Sequence, residues 1–249
     1  MPDSSIYLVP GVRELQRRLN GLTSYIPPPP PEATESPRRI LLVHAHPDPI
    51  NSFSAAIANT VESAAKEAGH EIRRISLYTP SRRNTYQAHL TREEWYSRKD
   101  PGDDLNKRKL SYEVKDHLRS LQWCDTLVLV YPTWWMNTPA VVKGFFDRTL
   151  VEDIAWTFPK PQADGSSATG LVPKLTNIKD IVGVSTYGAP YSIVTLAGDN
   201  GRRMIANSVR SGISPNASVS WFGLYGIDST TMEQRVDFLA SVGSWIGRL

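Results

Sequence analysis

Three short segments carry the residues best suited to chemistry. The stretch HAHPDPINSFS (44–54) offers His46 and the hydroxyls of Ser52 and Ser54 just before an apolar helical stripe. Unpaired N–H groups and the dipole at a helix start attract phosphate, so this turn suits a phosphate or pyrophosphate. A capped loop with His46 bonded to backbone is the plainer alternative. His44 and His46 alternate at a strand end and point to opposite faces, which argues against a metal pair. The stretch YPTWWMNTPAVVKGFFDR (131–148) holds Pro132, Trp134, Trp135 and Pro139. A planar ligand needs a flat apolar wall and backbone donors, and this rigid aromatic loop supplies both. Core tryptophans are the alternative, although two adjacent tryptophans do not easily face one core. The stretch STYGAPYS (185–192) brings Thr186 and Gly188 as close donors for the edge of a ring, and Tyr191 as a phenol for a carbonyl or phenolate oxygen. An ordinary glycine turn is the alternative there. Neither G-x-G-x-x-G nor a Walker loop occurs, nor a Ser-His-Asp order, a catalytic carboxylate pair or a Cys-His arrangement. Together the three turns suit a bound redox cofactor that carries the hard chemistry itself.

The elements that must position these turns alternate. Ile40–Ala45 is a short apolar run, as expected of a central parallel strand. Ser52–Ala68 reads as a helix with Phe53, Ile57, Val61, Ala64 and Ala68 on one stripe, Asn51 or Ser52 as cap and Gly69 as terminator. Glu71–Tyr78 is a second strand. Residues 80–110 form a polar excursion with some helix. Ser111–Leu121 is a helix, Asp125–Tyr131 the strongest strand, and Pro139–Leu150 a helix begun by proline. After a second excursion (151–175) come a strand at Ile178–Ser185, a helix at Asn200–Ser211 and a strand at Ser218–Tyr225. A closing helix, Thr230–Leu249, has a capping box from Thr230 to Glu233 and Met232, Val236, Leu239, Val242 and Ile246 inward. Five strand–helix alternations predict a parallel sheet with helices on both faces. Ligands of such sheets sit at the carboxyl ends of the strands, where the three turns fall.

The 249 residues suffice for a sizeable core without disulfides or a structural metal. A single cysteine, Cys124, excludes a disulfide framework and is compatible with a reducing setting, so a cytoplasmic protein is expected. The net charge of +3 is too mild to predict nucleic-acid binding, and no apolar run approaches membrane-spanning length. Eight of the 19 prolines fall in the first 39 residues, five of them consecutive at Pro27–Pro31. Residues 1–37 therefore read as an extension: a short amphipathic helix carrying Val12, Leu15, Leu19 and Leu22, then a stiff proline spacer. That helix is expected to pack on the body or on a partner subunit, because its apolar stripe needs burial. A disordered tail and a transit peptide are the alternatives. Residues 38–249 form the globular domain.

The segments ILLVHAHPDPINSFS, LVLVYPTWWMNTPAVVKGFFDRTL, EDIAWTF, STYGAPYS, the pair Gly198–Asp199 and a terminal helix occur in the order and spacing of one known family. Over residues 38–249 the chain resembles the NAD(P)H:quinone oxidoreductases, which include the mammalian quinone reductases and bacterial modulator of drug activity B. The resemblance implies a flavodoxin-like, doubly wound five-stranded parallel sheet of order 2-1-3-4-5. It implies a homodimer with FAD, less often FMN, held without a covalent bond at the subunit interface. Carried over by motif position, His46, Ser52, Phe53 and Ser54 would hold the pyrophosphate and adenosine side. Pro132, Thr133, Trp134 and Trp135 would hold the isoalloxazine, with Thr186, Tyr187 and Gly188 at its other edge. Asp147 matches an acidic position that reaches the partner's flavin, and Arg235 matches across a gap. Trp135, Met136, Trp156 and Phe158 would line the substrate slot, the last two from either subunit. Tyr191 would stabilise the oxygen on which charge develops. The implied reaction passes hydride from NAD(P)H through the flavin to a quinone by a ping-pong, two-electron route. The alternatives are a related azo, nitro or flavin reductase and a redox-sensing regulatory subunit. Arg82, Arg83, Arg202 and Arg203 are candidate partners for a 2′-phosphate. The chain departs from the pattern at Ala197, where mammalian members carry a histidine, and at Tyr187, where the bulk would narrow the site or stack near the flavin.

Overall fold

A computed structural model describes residues 28, 29, 31, 36–79, 86–97, 100, 102–160 and 169–249. The helix expected around Val12–Leu22 and the candidates Arg82 and Arg83 lie outside these residues.

The order is β1 (Arg39–His44), α1 (Phe53–Glu67), β2 (Glu71–Ser76), α2 (Arg92–Ser97), α3 (Tyr112–Trp123), β3 (Thr126–Thr133) and α4 (Ala140–Thr149). Two short strands follow, β4 (Trp156–Thr157) and β5 (Val172–Pro173), paired antiparallel. Then come β6 (Asp180–Tyr187), α5 (Tyr191–Leu196), α6 (Asn200–Arg203), a π-helical continuation (Met204–Val209), α7 (Arg210–Ile213), β7 (Ser218–Tyr225) and α8 (Met232–Ile246). The main sheet runs β2-β1-β3-β6-β7 with every pair parallel, which is the expected 2-1-3-4-5 order.

Period-two alternation sorts the central strands onto two cores. Leu41, Val43, Leu127 and Leu129 face α3 and α4 and pack with Leu121 and Phe145. Ile40, Leu42, Val128 and Val130 face α1 and α8 and pack with Ile57, Val61, Phe238 and Val242. Both faces of β1 and β3 are covered, which explains their unbroken apolar runs. Ser52 caps α1 by accepting from Ala55 N–H at 3.1 Å. On β6, Gly183 leaves room for the Trp221 ring, because a Cβ there would lie 2.1 Å from it.

The closing helix differs from its sequence pattern in two ways. Its capping box is Thr231–Gln234, not Thr230–Glu233. Thr230 serves instead as a hub, donating to Ile227 O at 2.7 Å and accepting from Arg235 Nε at 2.9 Å. The buried residues are Phe238, Val242, Trp245 and Ile246, whereas Met232 is 74% exposed and Val236 55%. Aromatic packing of Phe238 on Phe53 and of Trp245 on Phe222 selects that face.

Candidate functional site

The first turn leaves β1 through Ala45, whose N–H donates to Val130 O at 2.9 Å. His46 follows, half-buried, with Nδ1 engaged by the Asp48 backbone at 3.0 Å, so Nε2 is the nitrogen left to meet a ligand. Asp48 accepts from the N–H groups of Asn51 and Ile50, and these bonds, Asn51 first, hold its carboxyl below the usual range. Ser52 provides the cap, so the outward donors of the α1 start are Phe53 and Ser54. Arg235 joins this corner from α8. Its guanidinium sits 5.8 Å from the Phe53 ring and is steadied by bonds to Thr230 Oγ1 and Ile227 O, both 2.9 Å. His46, Ser52, Phe53, Ser54 and Arg235 are thus brought to one end of the sheet, with a cation beside the helix start.

The second turn is strained. Trp134 and Asn137 exchange both backbone hydrogen bonds at 3.0 Å, forming a two-residue hairpin at the end of β3. Its central residues, Trp135 and Met136, have φ of 51° and 58°. Such turns belong to Asn-Gly because both positions are left-handed, and a bulky side chain there costs about 1–2 kcal/mol. Trp135 is wholly exposed and Trp134 is 40% exposed, so neither is core. The strained turn thus holds the Trp135 indole out in solvent. Replacing the pair (Trp135→Asn with Met136→Gly) is expected to raise unfolding stability by about 2 kcal/mol in urea titrations, while abolishing any ligand stacking measured by fluorescence. Unchanged stability would show that the turn is relaxed.

Below this turn Pro132 is buried. Ser185 donates to Tyr131 O at 2.9 Å, which leaves Thr133 as the donor in its 2.8 Å bond to Ser185 Oγ. The lone pairs of Thr133 remain free to accept. The third turn begins at Thr186, 7% exposed, and Tyr187, and rises to Gly188. A cavity of about 340 Å³ joins it to the second turn, lined by Thr133, Trp135, Met136, Tyr187, Gly188 and Ala189. Tyr191 starts α5 beside it, edge-on to Tyr225 at 5.1 Å and packed in one cluster with Met136. Gly188 has no positive φ, and a Cβ on it would meet only Asp228 Oδ2 at 4.0 Å. Nothing among the described residues therefore requires a glycine there. Gly188→Ala is expected to change stability by less than about 0.5 kcal/mol while weakening a ligand seated on that backbone about tenfold or more, read by titration calorimetry. Equal binding by both proteins would remove Gly188 from the site.

Tyr187 does not narrow the site with an exposed ring. Its register opposite Tyr225 turns it inward, 1% exposed and stacked on Tyr225 at 4.5 Å. Its hydroxyl accepts from Trp221 Nε1 at 3.0 Å and donates to Asp199 Oδ1 at 3.1 Å. Burial pushes the Tyr187 and Tyr225 phenols well up, and it pushes the Asp199 carboxyl up despite the bond from Tyr187. Sequence reading had the Gly198–Asp199 pair but not this inner network, which needs the β6–β7 register. Trp156 and Phe158 are not among the residues lining the cavity of this chain. Trp156 Nε1 is tied to Leu150 O at 2.9 Å, and Phe158 is 59% exposed. Asp147 lies on the half-exposed side of α4, paired with Lys143. Cys124 is buried, and burial pushes its thiol up to about 12, so it is no nucleophile. Among the described residues no group of three or more His, Cys, Asp or Glu is placed to hold a metal, and no helix is long and apolar enough to cross a membrane.

Comparison with known proteins bears on the fold that carries these turns. The chain is 26% identical over 190 residues to NAD(P)H dehydrogenase [quinone] 1 of Rattus norvegicus, covering 71% of this chain and 63% of that protein. It is 30% identical over 116 residues to an uncharacterized NAD(P)H oxidoreductase of Haemophilus influenzae, covering 47% and 52%. The chain spans about half the length of the first curated relatives it matches, 52%, 43% and 55%. Among solved structures it superposes on Smu.1420 from Streptococcus mutans UA159 with a TM-score of 0.67 at 25% identity, covering 85% of this chain and 100% of that one. It also shares its fold with an NAD(P)H:quinone oxidoreductase from Methanothermobacter marburgensis, with a TM-score of 0.65 at 20% identity over 86% of this chain and 96% of that one. A family model described as flavodoxin-like fold matches residues 38–230, and with its 2-1-3-4-5 sheet the chain belongs to that family.

Proposed function

We propose that this protein is a flavin-dependent NAD(P)H:quinone oxidoreductase. The observation that carries the reading is the exposed Trp135, held with Met136 in a left-handed turn across one cavity from Gly188, with Tyr191 packed in the same cluster as Met136. The cradle fits a flavin: open space over Gly188, an apolar wall, and a helix start with Arg235 at the phosphate end. FAD, or FMN in its place, would be held by His46, Ser52, Phe53, Ser54 and Arg235 at that end, and by Pro132, Thr133, Trp134, Trp135, Thr186, Tyr187 and Gly188 around the ring. The flavin supplies reversible two-electron chemistry, which lets a nicotinamide and a quinone use one site in turn. The chain's own part is to keep donor and acceptor planes parallel against Trp135 and Met136 and to exclude water. Tyr191 donates to the acceptor oxygen as charge develops on it. Asp147, Trp156 and Phe158 would complete the site of a second subunit in a homodimer, working in the cytoplasm. Sequence likeness to the rat protein named NAD(P)H dehydrogenase [quinone] 1 supports this assignment.

The purified protein is expected to absorb near the flavin band, to bleach with NAD(P)H and to recover its colour with a quinone. A chain that stays colourless and takes up neither FAD nor FMN would end the proposal. Tyr191→Phe is expected to slow quinone turnover about a hundredfold with flavin content unchanged. Unaltered turnover would show that Tyr191 does not touch the reacting oxygen.

A further inference from the structure

Two hollows flank the outer side of α8. One holds Pro28 against Ala240, Ser244 and Trp245. Beside it Trp245 Nε1 donates to Pro29 O at 2.7 Å, a bond across 216 positions that fastens the middle of the proline run to the last helix. The other hollow is a groove of about 840 Å³ between α1 and α8, walled by Ala64, Ala68, Val236, Leu239 and Gly243. Ala240 and Ser244 line both hollows, so the fastened prolines enter at the edge of the groove. Val236 is 55% exposed, a second apolar side of α8 that the sheet does not use.

From these features we infer that residues Gly11–Leu22 of the same chain occupy the α1–α8 groove as an amphipathic helix. Val12, Leu15, Leu19 and Leu22 recur at helical spacing and supply the apolar side that the groove needs. The small side chains of Ala64, Ala68 and Gly243 allow a third helix to approach closely. Charge agrees as well. Arg13, Arg17 and Arg18 come from the segment, and Glu67 on the groove wall and Glu233 and Asp237 on α8 are available to meet them. The link from Thr23 to Pro28 is six residues. It spans up to about 20 Å, which nearly matches the length of a 15-residue helix such as α8. A docked segment would brace α1 against α8, the two helices that bring Phe53 and Arg235 together. The prolines then act as a strap and not as a free spacer.

The test is limited trypsin digestion of the full chain, following cleavage after Arg17 and Arg18 by mass spectrometry. A free peptide of residues 5–27 is the reference. Docking predicts cleavage at least about tenfold slower in the full chain than in the peptide, equivalent to about 1.4 kcal/mol. Val236→Asp places a charge in the groove at an exposed position and is expected to return the rate to that of the peptide with an unchanged thermal midpoint. Trp245→Phe removes the bond to Pro29 and should speed cleavage several-fold. Equal rates in chain and peptide would overturn the proposal, as would protection that Val236→Asp leaves intact. Protection lost on about a hundredfold dilution would assign the groove to a second copy and overturn it too.

Discussion

Arg148→Met is expected to lower the unfolding free energy by about 3–5 kcal/mol. Arg148 and Glu94 are each 3% exposed at their side chains and meet through two bonds, Nε to Oε2 at 2.9 Å and Nη2 to Oε1 at 2.7 Å. Arg148 also donates to Gln87 O at 2.7 Å and lies over the Tyr86 ring at 4.5 Å. Burial alone would raise the Glu94 carboxyl, and Arg148 holds it below the ordinary range. Removing the arginine leaves a buried acid with no cation beside it, together with a bare carbonyl. This pair also fastens the excursion carrying α2 to α4, the helix that follows the Trp135 turn. The double variant Arg148→Met with Glu94→Met is expected to recover more than half of the loss, because two apolar side chains of similar volume leave no orphan charge. Urea unfolding at neutral pH measures all three. A single variant within about 1 kcal/mol of the parent would show the pair to be energetically idle.

Stability is expected to fall steeply between pH 6.5 and 4. His44 and His117 are 1% and 7% exposed, and burial foremost lowers each from 6.5 to about 4. Arg74, with Nη2 3.4 Å from His44 Nδ1, acts in the same direction, and at His117 Asp116 opposes the burial while Arg148 adds to it. His117 also packs between Tyr86 and Phe145, with no place for a hydrated cation. The unfolded chain takes up protons as pH drops through 6.5, whereas the folded chain waits until about 4. The stability is therefore whole above 6.5 and is lost progressively toward 4. At about 1.4 kcal/mol per pH unit, each histidine removes about 3 kcal/mol over that window. Together they rival the whole stability of an ordinary domain, and acid unfolding should begin above pH 4. Denaturant titrations from pH 7 to 4.5 give the slope. His44→Gln with His117→Phe should flatten it by up to two protons. A slope unchanged in the double variant would mean that these rings are protonated while folded.

The strands were legible because their signals are local. The runs ILLVHA and DTLVLVY need two covered faces whatever surrounds them, and β7 spans Ser218–Tyr225 as its pattern predicts. The closing helix was legible as a helix but not in its facing. Met232 and Val236 fit a 3.6-residue stripe as well as Phe238 and Trp245 do, and only packing on Phe53 and Phe222 chooses between them. Its cap was ambiguous for a similar reason. Thr230 and Thr231 both precede an acceptable third residue, and the needs of Arg235 and Ile227 O claim Thr230.

By itself the sequence determined the parallel sheet, the ends of the strands at which ligands gather, and the residue types in the three turns. Periodicity and turn chemistry act over a few residues, so they survive without knowledge of the fold. The tertiary structure decided what those turns do with their side chains. It placed Trp135 in solvent on a left-handed turn, turned Tyr187 inward to Asp199 and Trp221, and brought Arg235 to Phe53. It also paired Glu94 with Arg148 across 54 positions and Pro29 with Trp245 across 216. Each of these depends on strand register or helix facing, which the whole core sets at once and no local run of residues encodes.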